Sequence, residues 1–278
     1  MSEQHIMESA APAPRILAVA NQKGGVGKTT TAINLGTALA AVGERVLIID
    51  LDPQGNASTG LGISRRNNQR STYHVLMGEA SLQDVIVESG IPRLHCAPST
   101  MDLLGAELEL AGIDRKTYRL ADAISALSLS GHPGRTYSYI LVDCPPSLNL
   151  LTINSLSAAD AILVPLQCEF FALEGLSQLI KTVEQVKVTL NPRLTIQGVV
   201  LTMFDKRNNL SEQVAEDVRS VLGDKVYQTV IPRNIRISEA PSYGKPVLLY
   251  DNACTGSQAY IRLASEVIRR EREILKAA

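Results

Sequence analysis

Residues 23–30, with the sequence KGGVGKTT, combine a glycine-rich turn with basic and hydroxyl side chains. Glycines let the backbone curl so that successive N–H groups point at one anion, and a helix beginning after the turn adds its positive dipole end. At this spacing Lys28 can reach the terminal phosphates of a nucleotide, and the Thr29 hydroxyl can ligate magnesium. The segment is interpreted as a phosphate-binding loop, with candidate ligands Lys23, Gly24, Gly25, Val26, Gly27, Lys28, Thr29 and Thr30.

The loop departs from the common pattern G-x-x-x-x-G-K-[ST] at its first position. Gln22 stands where that pattern has glycine, and Lys23 follows it, five positions before Lys28. Two ammonium groups this close either converge on the same phosphates or repel each other. The plain alternative is a glycine turn with two solvated lysines. It is disfavoured because an apolar strand pattern precedes the loop and a helical pattern follows it.

Carboxylates follow two other apolar runs, RVLIID and YSYILVD. Asp50 and Asp52 would lie on the same side of an extended chain, and Asp143 ends the second run. At the carboxyl edge of a parallel sheet such side chains stand beside the ligand crevice. Asp52 can orient or deprotonate a water there, while Asp50 and Asp143 are candidates for the magnesium side of the site. The alternative for Asp50 and Asp52 is turn capping before Pro53.

Apolar runs alternate with helical patterns from residue 15 onward. The predicted strands are 15–21, 45–50, 137–143, 161–166, 196–204 and 225–231, and the predicted helices include 28–42, 173–190, 211–222 and 257–275. This alternation predicts an α/β fold with a doubly wound, mostly parallel sheet flanked by helices. We expect residues 1–14 to form a flexible tail and residues 15–278 to form a single domain.

Composition limits the classes of protein that fit. Of the 278 residues, 45% are hydrophobic and 20% are charged, which is typical of a globular protein and not of a disordered one. A net charge of −1 excludes a protein that coats nucleic acid through a uniformly basic surface, but it allows a local basic patch. The four cysteines include no C-x-x-C pair, and no apolar run reaches the ~18–20 residues of a membrane-spanning helix.

Four motifs together resemble the ParA/Soj branch of the deviant-Walker ATPases, within the ParA/MinD superfamily of P-loop NTPases. They are KGGVGKTT, DLDPQGN, DCPPS and IPRNIRISEAPSYGKP, and the resemblance extends over residues 15–263. It implies ATP and Mg²⁺ as cofactors, ATP hydrolysis, and a homodimer in the ATP state. It also implies that the lysine matched by Lys23 reaches the partner's phosphates and that the aspartate matched by Asp52 activates the hydrolytic water.

The resemblance implies partners as well. The ATP-bound dimer would bind non-specific DNA, and a ParB-type centromere-binding protein would stimulate hydrolysis during segregation of chromosome or plasmid copies. The expected location is cytoplasmic and nucleoid-associated, with no membrane. Candidate DNA-contacting residues are Arg207, Arg233, Arg236 and Lys245, whereas Pro232 and Asn234 are expected to border the adenine.

Three other functions remain open at this point. A MinD-like positioning ATPase would bind a membrane, but the terminal pattern RREREILKAA has few bulky apolar residues and no aromatic one, which favours a docked surface helix. A redox ATPase like the nitrogenase iron protein would need cysteines of two subunits around a cluster, with Cys96 and Cys144 as candidates. A metabolic ligase or kinase would need a small-substrate pocket that no motif indicates.

Overall fold

The structure, a computed structural model, describes residues 13–64, 70–129 and 136–277. The expected amino-terminal tail therefore lies outside the described residues, except for its last two positions. The division into a tail and a single domain from residue 15 stays a prediction.

A seven-stranded sheet forms the centre of the described part of the chain. Its strands are β1 Arg15–Val19, β2 Val46–Asp50, β3 Val87–Glu88, β4 Leu94–Ala97, β5 Tyr139–Asp143, β6 Ala161–Gln167 and β7 Thr195–Thr202. The spatial order is β3-β4-β2-β5-β1-β6-β7, and only the β3–β4 pair is antiparallel. The predicted doubly wound, mostly parallel sheet is confirmed. Because β2, β5 and β1 are adjacent and parallel, their carboxyl ends lie side by side.

Helices cover both faces of this sheet. Those described are α1 Lys28–Ala41, α2 Asn56–Gly60, α3 Thr72–Met77, α4 Leu82–Val85, α5 Leu103–Leu110, α6 Arg119–Leu129, α7 Leu150–Ala158, α8 Ala172–Thr189, α9 Asn209–Leu222, α10 Ile235–Glu239, α11 Val247–Tyr250 and α12 Thr255–Ala277. Alternate strand residues enter opposite hydrophobic clusters: Ile48 packs with α1 and α12, whereas Ile49 packs with residues of α3 to α9. Because helices cover both faces of the sheet, the strands are continuous apolar runs in the sequence.

The carboxyl-terminal helix α12 is docked on the sheet. Tyr260, Leu263 and Val267 are buried in the cluster that also contains α1. Across the residues that the structure covers, no helix combines the length and the apolar character needed to span a membrane.

The predicted strand at 225–231 is wrong. The chain makes only an isolated parallel bridge there, between Val199 and Val226. The N–H groups of Gln228 and Thr229 donate instead to the carboxylate of Glu266 in α12, at 2.9 and 3.0 Å. The N–H groups of Tyr227 and Ile231 still donate to Val199 O and Leu201 O of β7, but no regular ladder forms and the sheet ends at β7.

Candidate functional site

The predicted phosphate-binding loop connects β1 to α1. Gly25 and Gly27 have φ angles of 76° and 89°, in the left-handed region that favours glycine. Gly27 is the N-cap of α1, so the free N–H groups of the first helical turn continue those of the loop. Thr202, at the end of β7, donates its hydroxyl to Val26 O at 2.8 Å and holds the loop against the sheet. The result is a preformed cradle for an anion.

Lys28 lies in this cradle and is only 6% exposed. Its Nζ donates to the backbone oxygen of Lys23 at 2.8 Å. Burial lowers the pKa of Lys28, and the nearby Asp143 acts in the opposite direction. A desolvated ammonium group held by one carbonyl oxygen gains strongly from an anionic ligand, which the loop is shaped to receive.

Lys23 is held by a different set of contacts. Its ammonium group forms an ion pair with Glu169, two residues beyond β6, and its side chain is 44% exposed. Its backbone N–H donates to Asn21 Oδ1 at 3.0 Å, and Asn21 Nδ2 donates to Pro165 O at 2.7 Å. Sequence reasoning missed both Asn21 and Glu169. The two lysines of the loop therefore occupy different environments, one buried and one accessible.

Asp50 and Asp143 are direct neighbours at the carboxyl ends of β2 and β5. Both residues are fully buried. Burial raises the pKa of Asp50 to about 6 and raises that of Asp143 well above its usual value, with the charge of Asp50 adding to the second shift. Two carboxylates in such surroundings ionise together only when a cation compensates them.

Asp50 also holds the segment that follows β2. Its Oδ1 accepts from Asp52 N at 3.2 Å, and its Oδ2 accepts from Ser58 N at 3.1 Å and from Ser58 Oγ at 2.9 Å. Ser58, in α2, carried no signal in the sequence. These bonds fit a loop-holding role for Asp50, and its role as a magnesium ligand stays a prediction.

The strongest indication of a cation site is the environment of Asp143. Neither of its carboxylate oxygens has a hydrogen-bond partner among the described residues, although both are buried. The Thr29 side chain is near enough to lower the pKa of Asp143, yet it does not reach hydrogen-bond geometry with either oxygen. Carboxylate and hydroxyl oxygens suit Mg²⁺, which also keeps waters and phosphate oxygens as ligands. Thr29 and Asp143 therefore fit a magnesium ion at the mouth of the loop.

Asp52 follows β2 and is 7% exposed. Its Oδ1 accepts from Gln54 N at 2.9 Å, and its backbone oxygen accepts from Ser99 Oγ at 2.6 Å. The carboxylate thus stabilises the turn, as the capping interpretation expects. Its second oxygen accepts no hydrogen bond from the described residues, and the catalytic role of Asp52 stays a prediction.

A cavity of about 360 Å³ opens beside the loop. Gly27 and Thr30 line it from the loop and α1, and Pro232 and Asn234 line it from the segment before α10. Asn234 Nδ2 donates to Thr255 Oγ1 at 2.9 Å, which ties that segment to the start of α12. The residues expected to border the adenine therefore share one cavity with the phosphate loop.

The four candidate DNA-contacting residues are all exposed, namely Arg207, Arg233, Arg236 and Lys245. The guanidinium group of Arg207 donates two hydrogen bonds to the Asp205 carboxylate, at 3.0 and 2.8 Å. Arg236 pairs with Glu239 at 3.0 Å and with Asp251 at 3.5 Å. Both guanidinium groups are therefore paired with carboxylates of their own chain, and their contact with DNA stays a prediction.

The cysteines considered for a redox cluster are placed apart. Cys96 and Cys144 are fully buried and belong to the hydrophobic clusters on opposite faces of the sheet. Burial raises the pKa of Cys144 to about 12. Two thiols on opposite sides of the sheet cannot converge on one cluster between subunits, which disfavours the redox alternative.

A model of a family described as an AAA domain matches residues 14–196. The chain is also 65% identical over 259 residues to the chromosome partitioning protein ParA of Caulobacter vibrioides, and the match covers 93% of this chain and 96% of that protein. The chain belongs to the ParA/Soj family. The resemblance that the four motifs indicated is thus confirmed.

A second member of the family is similar over the same span. The sporulation initiation inhibitor protein Soj of Bacillus subtilis is 51% identical over 253 residues, which cover 91% of this chain and 98% of Soj. Among solved structures, the cobyrinic acid a,c-diamide synthase of Mycobacterium smegmatis, with bound ADP and magnesium, is 34% identical. It superposes with a TM-score of 0.80 and covers 93% of this chain and 96% of the synthase.

Proposed function

We propose that this ParA/Soj family member is an ATP-dependent DNA-partitioning protein. In this proposal, ATP binding drives dimerisation and DNA binding, and ATP hydrolysis reverses both. The observation that carries the proposal is the arrangement of one loop. It places a buried lysine, Lys28, near the unpartnered carboxylate of Asp143 and leaves a second lysine, Lys23, accessible beside Glu169. One lysine can serve its own nucleotide while the other remains able to serve a neighbour's.

ATP binding uses the cradle as it stands. The backbone N–H groups of residues 24–30 surround the phosphates, and Lys28 exchanges its bond with Lys23 O for phosphate oxygens. Thr29 and Asp143 would hold Mg²⁺, with Asp50 fixing the neighbouring loop. A bound magnesium ion supplies charge neutralisation at the phosphates. The adenine occupies the cavity beside Pro232 and Asn234.

Hydrolysis needs a positioned water and compensation of the charge on the transferring phosphoryl group. Asp52 supplies the carboxylate oxygen that orients or deprotonates this water. Lys23 leaves Glu169 and reaches the phosphates bound by the second protomer. Removal of one such charge donor typically costs ~3 kcal/mol of transition-state stabilisation, so hydrolysis depends on the dimer.

Family membership supports the partitioning role, since a relative that is 65% identical is a chromosome partitioning protein. The proposed partners are non-specific DNA and a ParB-type centromere-binding protein that stimulates hydrolysis. Sequence-independent binding needs only contacts from arginine or lysine to backbone phosphates. The proposed location is the cytoplasm, on the nucleoid.

The test compares nucleotide states directly. Binding to a duplex of random sequence is measured without nucleotide, with ADP, and with ATP, each in the presence of Mg²⁺. Co-sedimentation with anionic phospholipid vesicles is measured in parallel. We expect DNA binding only with ATP and no vesicle binding. The proposal would be overturned if the DNA affinity were the same in all three nucleotide states. It would also be overturned if ATP promoted binding to vesicles and not to DNA.

A further inference from the structure

The outward face of α12 carries a row of positive charges. Arg262, Arg269, Arg272 and Lys276 are exposed, and their spacing of seven, three and four residues keeps them on one side of the helix. At ~1.5 Å per residue the row extends over roughly 21 Å. None of these four cations forms an ion pair with any residue that the structure describes.

Most acidic side chains of the same helix are turned inward. Glu266 is 6% exposed and accepts from backbone N–H groups and from Arg270. Glu271 is 7% exposed and pairs with Arg15 at 3.0 Å. Only Glu273 is an exposed acid beside the row. The helix therefore separates its charges, with carboxylates mainly toward the protein and free cations toward the solvent.

The row continues onto the rest of the molecule at its carboxyl-terminal end. Arg272 lines an open concavity of about 700 Å³ together with Arg45 and Arg93. Three acids line it too: Asp160 and Glu271 are paired with Arg15, and Glu44 is half-buried. Arg45 lies before β2 and Arg93 before β4, and both are exposed. The one polar contact of the Arg93 guanidinium within the described residues is with Gly43 O, at 3.1 Å. We call these six cations the basic track: Arg45, Arg93, Arg262, Arg269, Arg272 and Lys276.

The basic track differs from the arginines that the motifs pointed to. Arg207 and Arg236 are engaged by carboxylates of their own chain, so DNA would have to displace Asp205, Glu239 or Asp251. The cations of the track require no such displacement. In a chain with a net charge of −1, six exposed cations without an ion pair in the described part of the chain, four of them along one face of α12, are a local concentration of positive charge.

We propose that the basic track is a binding surface for the sugar-phosphate backbone of duplex DNA. The inference rests on the proposed DNA-binding function and assigns it a surface. A linear array of cations suits a linear polyanion, and ~21 Å corresponds to about six phosphates of one strand at ~3.4 Å each. Because phosphate contacts carry no base information, binding through the track is independent of sequence.

An anionic membrane fits this face less well. A membrane-surface helix buries a bulky apolar side with aromatic residues at the interface. In the described part of α12, Ile261 and Ile274 are partly exposed at 36% and 48%, but the helix's one aromatic side chain, Tyr260, is 1% exposed. The surface therefore presents charge without the apolar stripe that insertion needs.

The test is the salt dependence of DNA binding with ATP and Mg²⁺. The track variant is Arg262→Gln with Arg269→Gln, and the matched control is Lys181→Gln with Arg193→Gln, which removes two exposed cations elsewhere. The probe is a random-sequence duplex of about 30 base pairs, titrated between about 50 and 200 mM salt, the range over which phosphate contacts change affinity strongly. For each protomer on the DNA, the track variant should lower the slope of log K against log salt by about 2, and the control should leave it unchanged.

The outcomes separate the two proposals. If the unaltered protein binds DNA and the track variant keeps the same slope, the track is not the DNA surface, although the proposed function stands. If the unaltered protein does not bind DNA with ATP, both fail. A second pair, Arg272→Gln with Lys276→Gln, must also lower the slope. Binding of the unaltered protein to anionic vesicles that is lost in the track variant would assign the surface to membranes and overturn the inference.

Discussion

The ammonium group of Lys23 is paired with the carboxylate of Glu169 in the same chain, 146 positions away. The contact joins the phosphate loop to the segment that leads from β6 into α8. In the proposed dimer Lys23 must serve the second protomer, so this ion pair has to open first. If the proposal holds, Glu169 competes with the phosphates of the second protomer for Lys23, and this competition favours the monomer.

Replacement of Glu169 by glutamine should strengthen ATP-dependent dimerisation. An exposed ion pair is worth ~0.2–1 kcal/mol, and each dimer opens two of them. The dimer dissociation constant should therefore fall by between about 2-fold and 30-fold. Analytical ultracentrifugation with Mg²⁺ and a non-hydrolysable ATP analogue measures this constant. Glu174→Gln, an exposed acid in the first turn of α8, is the matched control. Weaker or unchanged dimerisation of Glu169→Gln would show that the pair does not hold the monomer.

Lys23→Ala should keep ATP binding but lose dimerisation or hydrolysis. Lys28 Nζ contacts the backbone oxygen of Lys23, so removal of the Lys23 side chain leaves this bond of the cradle intact. The turnover rate should fall by about 100-fold or more, as for other losses of a transition-state charge donor. Steady-state phosphate release and fluorescent-nucleotide binding are measured on the same preparation, with Lys28→Ala as the variant that loses nucleotide binding. Full activity of Lys23→Ala would refute the trans role.

Asp52→Ala should trap the ATP-bound dimer. Loss of a general base typically slows a reaction by about 10²–10⁴-fold, whereas nucleotide binding does not require this carboxylate. Asp52→Asn separates catalysis from structure, because an asparagine oxygen can still accept from Gln54 N. Both variants should hold ATP for longer than the unaltered protein in a single-turnover assay. If Asp52→Asn hydrolyses ATP at the normal rate and only Asp52→Ala is slow, Asp52 acts by stabilising the turn at Gln54 and not by activating water.

Contiguous motifs made the loop and the acidic strand ends predictable. The residues of the phosphate cradle are neighbours in sequence, so their spacing alone defined the local geometry. Asp50 and Asp143 end apolar runs of adjacent strands, and the rule that parallel strands share one carboxyl edge brought them together. What the sequence could not supply was the partner of each group, because Lys23 and Glu169 are brought together only by the finished sheet.

Two parts of the sheet were predicted wrongly: β4 was not among the predicted strands, and the strand predicted at 225–231 does not form. Strand β4 is only LHCA, and His95 interrupts its apolar character while bonding to Tyr137 at 2.8 Å. The segment at 225–231 has strand-like residues, but Glu266, far along the chain, takes two of its N–H groups. In both cases tertiary contacts override a local pattern.

Gly198→Ala should destabilise the protein, because Gly198 lies in β7 where residues 225–227 pack closely against that strand. An added Cβ would meet Tyr227 Cε2 at 2.6 Å and Lys225 O at 2.9 Å, so ring and backbone must both shift. Overpacking of this kind typically costs ~1–3 kcal/mol in free energy of unfolding. Urea unfolding monitors the change. Gly175→Ala, in α8 with nothing within 4 Å, is the control and should be stabilising by up to ~1 kcal/mol. A Gly198→Ala protein as stable as the unaltered one would contradict the observed packing.

Asp143→Asn should stabilise the protein without nucleotide or magnesium while abolishing hydrolysis. Both carboxylate oxygens are buried without partners, and burial raises the pKa of Asp143. A raised folded-state pKa means that the stability held at low pH is lost as the pH rises above the unfolded value of about 3.8 toward the folded value. The neutral amide has no such loss, so the advantage of Asn in free energy of unfolding should grow between pH 5 and pH 8, reaching about 1 kcal/mol or more.

Urea unfolding of the nucleotide-free protein in EDTA, at several pH values, measures this advantage. Asp114→Asn, at an exposed position, controls for the lost charge. Added Mg²⁺ with an ATP analogue should reverse the order, because a cation then stabilises the carboxylate of the unaltered protein and not the amide. An advantage that is the same at every pH, or an Asn variant that is less stable throughout, would mean that Asp143 is satisfied within the protein and is not reserved for a cation.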